Sequence, residues 1–234
     1  DEELDSVGTG GAVFKALRGD FGCGKSFTAR WYQQRALQAG FAVAEVQISE
    51  NDTPLHRLET IYRRAMESLR TQDCDHGAFR SILSDWLVSL EVLAMDRLGG
   101  EGQHPDLGQA VARLLDDRLA QVSATQPQFA MAIRGYHAAL LDGDVATAEG
   151  LMGWLMGQPN VGAAVKRAAG LKGDVDHRSA LGLLRGLLAI MRQAGSPGLM
   201  LVLDEVETIQ TVRADSRERS LNALRQLIDD LYGG

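Results

Sequence analysis

Apolar side chains return every three or four positions after residue 54: Leu55, Leu58, Ile61, Tyr62, Ala65, Met66 and Leu69. The spacing predicts a helix with one buried face, while Arg57, Arg63, Arg64 and Arg70 read as its solvated side. Thr53 suits the cap of that helix and Pro54 its first position, where no N–H is needed. Another helical pattern, free of Gly and Pro, runs from Ser26 to Gln38 and stops at Ala39-Gly40. Between residues 76 and 195 no segment reads as a good strand. Residues 79–95, 107–122, 128–141, 145–156 and 178–194 read as helices broken by Gly, Asp or Pro, and Asp215 to Leu231 as one more. Trp86, Met152, Trp154 and Met156 lie at core spacing within them and read as packing residues.

Strand signals are few, and they frame the helices. Ala12 to Arg18 is short and mostly apolar, and Phe41 to Ser49 carries Val43, Val46 and Ile48. Leu199 to Leu203 is an unbroken apolar run behind Gly195-Ser196-Pro197-Gly198, the pattern of a buried parallel strand. Strand, helix, strand over residues 12–49 begins a βαβ unit. The expected fold class is therefore α/β, a parallel sheet core with a large all-helical insertion. Residues 1–75 and 196–234 form the core in this reading, and residues 76–195 the insertion.

Chemistry gathers at the ends of those strands. Gly19-Asp20-Phe21-Gly22-Cys23-Gly24-Lys25-Ser26 is a full G-x-x-x-x-G-K-[ST] phosphate loop, placed between the first strand and the helix that opens through Phe27. Glycines let successive backbone N–H groups face the β- and γ-phosphates, and Lys25 brings a point charge to the same oxygens. The Ser26 hydroxyl is placed to ligate Mg²⁺, and the helix N-terminus favours an anion. Far down the chain, Asp204 and Glu205 follow the apolar run, where open α/β sheets bind ligands. The pair resembles a Walker B segment, with Asp204 holding Mg²⁺ and Glu205 orienting or deprotonating the attacking water.

Composition adds limits. The chain has 234 residues and a formal net charge of −7, which argues against a generally basic nucleic-acid binder while leaving local patches open. No run of about 18 apolar residues suggests a membrane span. Cys23 and Cys74 form no disulfide or metal pattern, and His76, His104, His137 and His177 lack ligand spacing, so the expected location is a reducing cytoplasm. The chain begins without methionine and stops just after a helical segment, so it reads as a piece of a longer protein with the core incomplete at its C-terminus.

Four segments together resemble a bacterial family: Phe14 through Ser26, Ala44 to Ser49, Thr53-Pro54-Leu55-His56, and Leu201 to Glu207. They look like the P-loop ATP-binding proteins of BREX-type phage-defence loci, related to AAA+ and origin-recognition-like ATPases of the ASCE class. The resemblance implies a cytoplasmic, Mg-dependent ATPase inside a multi-protein, DNA-directed system, using ATP and Mg²⁺. It carries Gly19, Asp20, Phe21, Gly22, Cys23, Gly24, Lys25, Ser26 and Phe27 over as nucleotide contacts, Ser26 and Asp204 as metal ligands, and Lys25 and Glu205 as catalytic groups. Protein partners of a defence complex are implied; DNA contact and a homo-oligomer stay open. It also implies a sensor strand between the phosphate-loop and Walker B strands, which the chain does not reach, so residues 12–18 and 199–203 are not expected to be neighbours. Arg213, Arg217 and Arg219 read as surface or helix-pairing residues, with action on a neighbouring subunit's nucleotide as the other reading. Two rival functions remain: a slow nucleotide-dependent signalling or scaffold switch, and a small-molecule kinase.

Overall fold

Ala42–Gln47 (β1) and Leu199–Asp204 (β2) pair in parallel, from Ala42 opposite Leu199 to Gln47 opposite Asp204. They belong to a computed structural model that describes residues 2–20, 22–99 and 105–232, a mostly helical chain with this one small sheet among the described residues. Parallel strands cannot be joined by a tight turn, and here the connection is everything from residue 48 to 198. The chain divides into two units: residues 1–79 with 176–181 and 195–234, and residues 80–175 with 182–194.

In the first unit β1 is the buried strand, with Ala42, Val43, Ala44 and Val46 almost fully covered. The helix Leu58–Ser68 (α3) packs on it through Leu58, Ile61, Tyr62, Ala65 and Met66, the face that the three- and four-residue spacing defines. Lys25–Gln38 (α2) lies against both strands but buries only Gln33, Ala36 and Leu37. Phe27, Trp31 and Tyr32 stay exposed, with Trp31 edge-on to Tyr32 and the Arg35 guanidinium 5.7 Å from the Trp31 ring centre. A short N-terminal helix, Glu2–Gly8 (α1), sets Leu4 and Val7 on the cluster of Ala36, Leu37, Phe41 and Val43. After β2 come a 3₁₀ turn, Val206–Gln210, and a long helix, Ala214–Tyr232, which is α10 in chain order.

Gln33 joins two elements of this unit. Its Nε2 donates to Glu45 Oε2 on β1 at 3.0 Å, and its Oε1 accepts from Arg70 Nη2. Arg70 and Val43 exchange both backbone hydrogen bonds at 2.9 Å, so the side-chain relay lies beside an antiparallel bridge.

The second unit is helical throughout its described residues. Most of Ala78–Arg97 (α4), then Leu107–Thr125 (α5), Pro127–Leu141 (α6), Val145–Leu155 (α7), Ala163–Ala168 (α8) and most of His177–Gln193 (α9) form it. Its core holds Trp86, Leu119, Phe129, Ile133, Leu151 and Trp154. The buried indoles are satisfied: Trp86 Nε1 donates to Gln193 Oε1 at 3.2 Å, and Trp154 Nε1 to Gly173 O at 3.0 Å. No helix among the described residues is long and apolar enough to cross a membrane.

Four expectations need correction. Residues 12–18 form no strand, and Phe14 and Leu17 stay exposed. A strand is stable only beside a partner, and β2 takes β1 as its neighbour, leaving this segment no ladder among the described residues. The run 199–203 is parallel as expected but only half-buried, because β1 covers one edge and no third strand follows among the described residues. Thr53 does not cap a helix: Ser49 Oγ accepts from the N–H groups of Asp52 and Thr53, and Thr53 O accepts from Ser49 N–H. That closed loop delays the helix to Leu58, after a turn from Pro54 to Arg57. Finally, α8 was not foreseen; at 6 residues it is too short to show a period.

Candidate functional site

The phosphate-loop sequence folds as a tight turn ahead of α2. Gly22 has φ 79° and Gly24 φ 92°, left-handed conformations that a side chain makes costly. At Gly19 a Cβ would meet Cys23 Sγ, and that exposed side chain would have to rotate away. Cys23 N–H donates to Asp20 O at 3.3 Å and closes the turn. Phe21 lies outside the described residues. Gly24 offers no side chain to cap α2, and Thr28 N–H is the first to reach a helical carbonyl, Gly24 O at 2.9 Å. The N–H groups ahead of it therefore point out of the helix end, where they favour an anion.

Lys25 folds back over this turn, with Nζ donating to Gly19 O at 2.9 Å and to Asp20 O at 3.2 Å. An ammonium held by two neutral carbonyls is bound without being neutralised, so it stays available to an acidic ligand. Phe27 follows on the exposed face of the helix, 76% accessible.

Asp204 ends β2 directly across from this helix start. Ser26 Oγ donates to Asp204 Oδ2 at 3.4 Å, across 178 positions of sequence. Asp204 Oδ1 accepts from the Glu205 N–H at 2.9 Å, and Asp204 O accepts from Ile48 N–H at 2.9 Å, which extends the ladder past the strand ends. The carboxylate is thus fixed by one backbone donor and one hydroxyl. Glu205 takes up φ 55°, ψ 31°, a left-handed conformation that costs a side-chain-bearing residue about 1–2 kcal/mol. Its carboxylate is exposed and has no partner among the described residues. Ser26 and Asp204 are therefore brought together, with Lys25 and Glu205 beside them as their chain neighbours.

Oxygen donors of this kind suit a hard divalent cation: a hydroxyl and a carboxylate facing each other at a helix start. Sequence reasoning did not find the hydroxyl-rich cleft alongside, lined by Ser49, Asn51, His56, Thr208, Arg213, Ser216 and Ser220. Its signal was legible on α10 and just before it, where Arg213, Ser216 and Ser220 recur at helical spacing.

The chain belongs to the family of BREX system ATP-binding proteins BrxC/D, whose family model matches residues 1–234. No curated protein and no solved structure matches it.

Proposed function

We propose that the chain is the nucleotide-binding core of a Mg-dependent ATPase of the AAA+-like P-loop type, working in the cytoplasm within the BREX assembly. One observation carries the reading: the Ser26 hydroxyl meets the Asp204 carboxylate, as a phosphate loop and a Walker B acid must. In this reading residues 1–75 and 196–234 are the ATPase core and residues 76–195 a helical insertion for protein partners.

The residues divide the work. Backbone N–H groups of the loop and the start of α2 hold the β- and γ-phosphates of ATP, and Lys25 leaves its two carbonyls for the same oxygens. Ser26 and Asp204 would hold Mg²⁺, which supplies charge neutralisation to the phosphates. Glu205 orients the attacking water, and its position one peptide beyond Asp204 sets it at the edge of the site.

Glu205 also motivates a second reading. A carboxylate with no partner among the described residues is not pre-positioned, which favours a slow switch that binds ATP and recruits proteins. Turnover assays with and without DNA, on wild type, Lys25→Ala and Glu205→Gln, separate the two. The ATPase reading expects Lys25→Ala to lose ATP binding and Glu205→Gln to bind ATP but turn over about 10²-fold slower or worse. Unchanged turnover in Glu205→Gln sinks Glu205 as the water-orienting group. Slow single turnover in wild type with retained product supports the switch.

A further inference from the structure

Beyond the strand ends of the first unit lies a cleft of about 170 Å³, smaller than the ~300 Å³ at which small-molecule sites begin. Two features of the sequence converge on it: Pro54-Leu55-His56 on one wall, and Arg213 at the start of the α10 region on the other. Ile48, Ile209 and Val212 supply apolar surface between them.

The polar lining is rich in hydroxyls. Ser49 Oγ already accepts two backbone N–H groups and has its proton left to offer, while Ser216 Oγ accepts from Arg219 Nη2 at 3.3 Å and keeps its proton and one lone pair. Ser220 is 3% exposed, and Thr208 Oγ1 is buried with no hydrogen-bond partner. A buried hydroxyl without a partner is unfavourable, and an acceptor entering the cleft would relieve it. Arg213 adds a guanidinium and Asn51 an amide.

Charge agrees with that chemistry. His56 feels Arg219, Arg57 and His177 from one side of the balance and Glu59 from the other, and Glu50 is the carboxylate on the cleft wall. On the cleft wall itself one guanidinium, Arg213, faces one carboxylate, Glu50. Burial, then Arg219 and Arg57, hold the His56 imidazole below its ordinary range. A nearby anion would reverse the last two influences.

We infer that this cleft is a second anion site, separate from the phosphate loop, which takes a single phosphate group on Arg213 and the hydroxyls of Ser49, Thr208, Ser216 and Ser220. The group arrives either as inorganic phosphate or as one backbone phosphate of a nucleic-acid strand. Size supports a lone phosphate group, and Arg213 with the four hydroxyls supplies its donors, with Glu50 the carboxylate on the wall that the group must stand clear of.

The test uses NMR on the ¹⁵N-labelled chain carrying Lys25→Ala, which silences the phosphate loop. Inorganic phosphate is titrated in one arm and a twelve-nucleotide dT strand in the other. Amide shifts confined to residues 49–56 and 208–220, with a rise in the His56 pKa, are the expected result. Arg213→Gln should then weaken the effective ligand about tenfold or more, while Arg213→Lys retains part of the binding. Response to phosphate alone assigns the free ion; tighter response to the strand, weakening with salt, assigns a nucleic-acid backbone. If neither probe moves those residues, or if Arg213→Gln binds as well as its parent with its spectrum otherwise intact, the inference is overturned.

Discussion

Replacing Gln33 by Ala should loosen α2 from β1 and leave the second unit untouched. The side chain is 1% exposed and bonds two charged groups, Glu45 and Arg70. Each hydrogen bond to a charged group contributes about 1.5–3 kcal/mol, so the gross loss is about 3–6 kcal/mol. Glu45 and Arg70 are only half-buried and regain water or each other, which returns about half. A net loss of about 1.5–3 kcal/mol remains, and with a urea slope near 2 kcal/mol/M the midpoint falls by about 1 M. Two units make a single global transition unsafe, so the assay is amide hydrogen exchange, read separately in β1 with α2 and in α6 with α7. Protection should fall in the first pair and hold in the second. Gln33→Glu is the sharper control: it sets a carboxylate against Glu45, so its stability deficit at pH 7 should shrink toward pH 4 as one of the two takes a proton. Equal loss in both regions, or a midpoint shift below about 0.3 M, refutes the account.

His137 is buried, its Nε2 lacks a partner, and burial holds its pKa below the ordinary value with Glu91 opposing weakly. A depressed histidine stabilises in full above its unfolded pKa of about 6.5 and loses that contribution as pH falls through the window below it, so urea midpoints of the second unit should drop between pH 7.5 and 5.5, and His137→Phe should flatten the drop. Trp154→Phe strips Gly173 O of its donor and leaves a void in the second unit, at a cost of about 2 kcal/mol measurable by the same denaturation. Glu205→Gly should relieve the left-handed backbone and raise stability by about 1 kcal/mol by thermal melting, while removing the carboxylate that hydrolysis is proposed to need. A Glu205→Gly chain that is less stable than wild type would contradict the strain.

Legibility in the sequence followed the range of the physics. The α3 face was readable because Leu58, Ile61, Tyr62, Ala65 and Met66 bury at a spacing set by the helix itself. The 199–203 run was readable as a parallel strand, since an unbroken apolar segment with Gly and Pro before it has few other uses. Residues 12–18 were misread for the opposite reason: strand formation depends on a neighbour that no local pattern can supply. Thr53 and Pro54 look like a helix start by residue type, but Ser49, four positions earlier, captures the N–H groups first. Ser26 and Asp204 lie within a hydrogen bond of each other across 178 positions, a juxtaposition no local pattern sets. The cleft was missed because its hydroxyls come from three separate segments, of which only the one holding Arg213, Ser216 and Ser220 carries a period.

Glu205 does two separable things at the proposed site. Its N–H clamps Asp204 Oδ1, which leaves Oδ2 for Ser26, and that clamp requires the chain to turn left-handed at once after β2. The strained backbone is thus what fixes the Asp204 carboxylate, and any residue able to hold φ near 55° preserves it. The side chain, exposed and unpartnered among the described residues, adds only the carboxylate. Changes confined to that carboxylate should therefore act on the proposed hydrolysis and spare nucleotide affinity. Changes that stiffen the backbone, such as Glu205→Pro, should disturb Asp204 and with it the Ser26 contact, because proline locks φ near −65° and removes the clamping N–H.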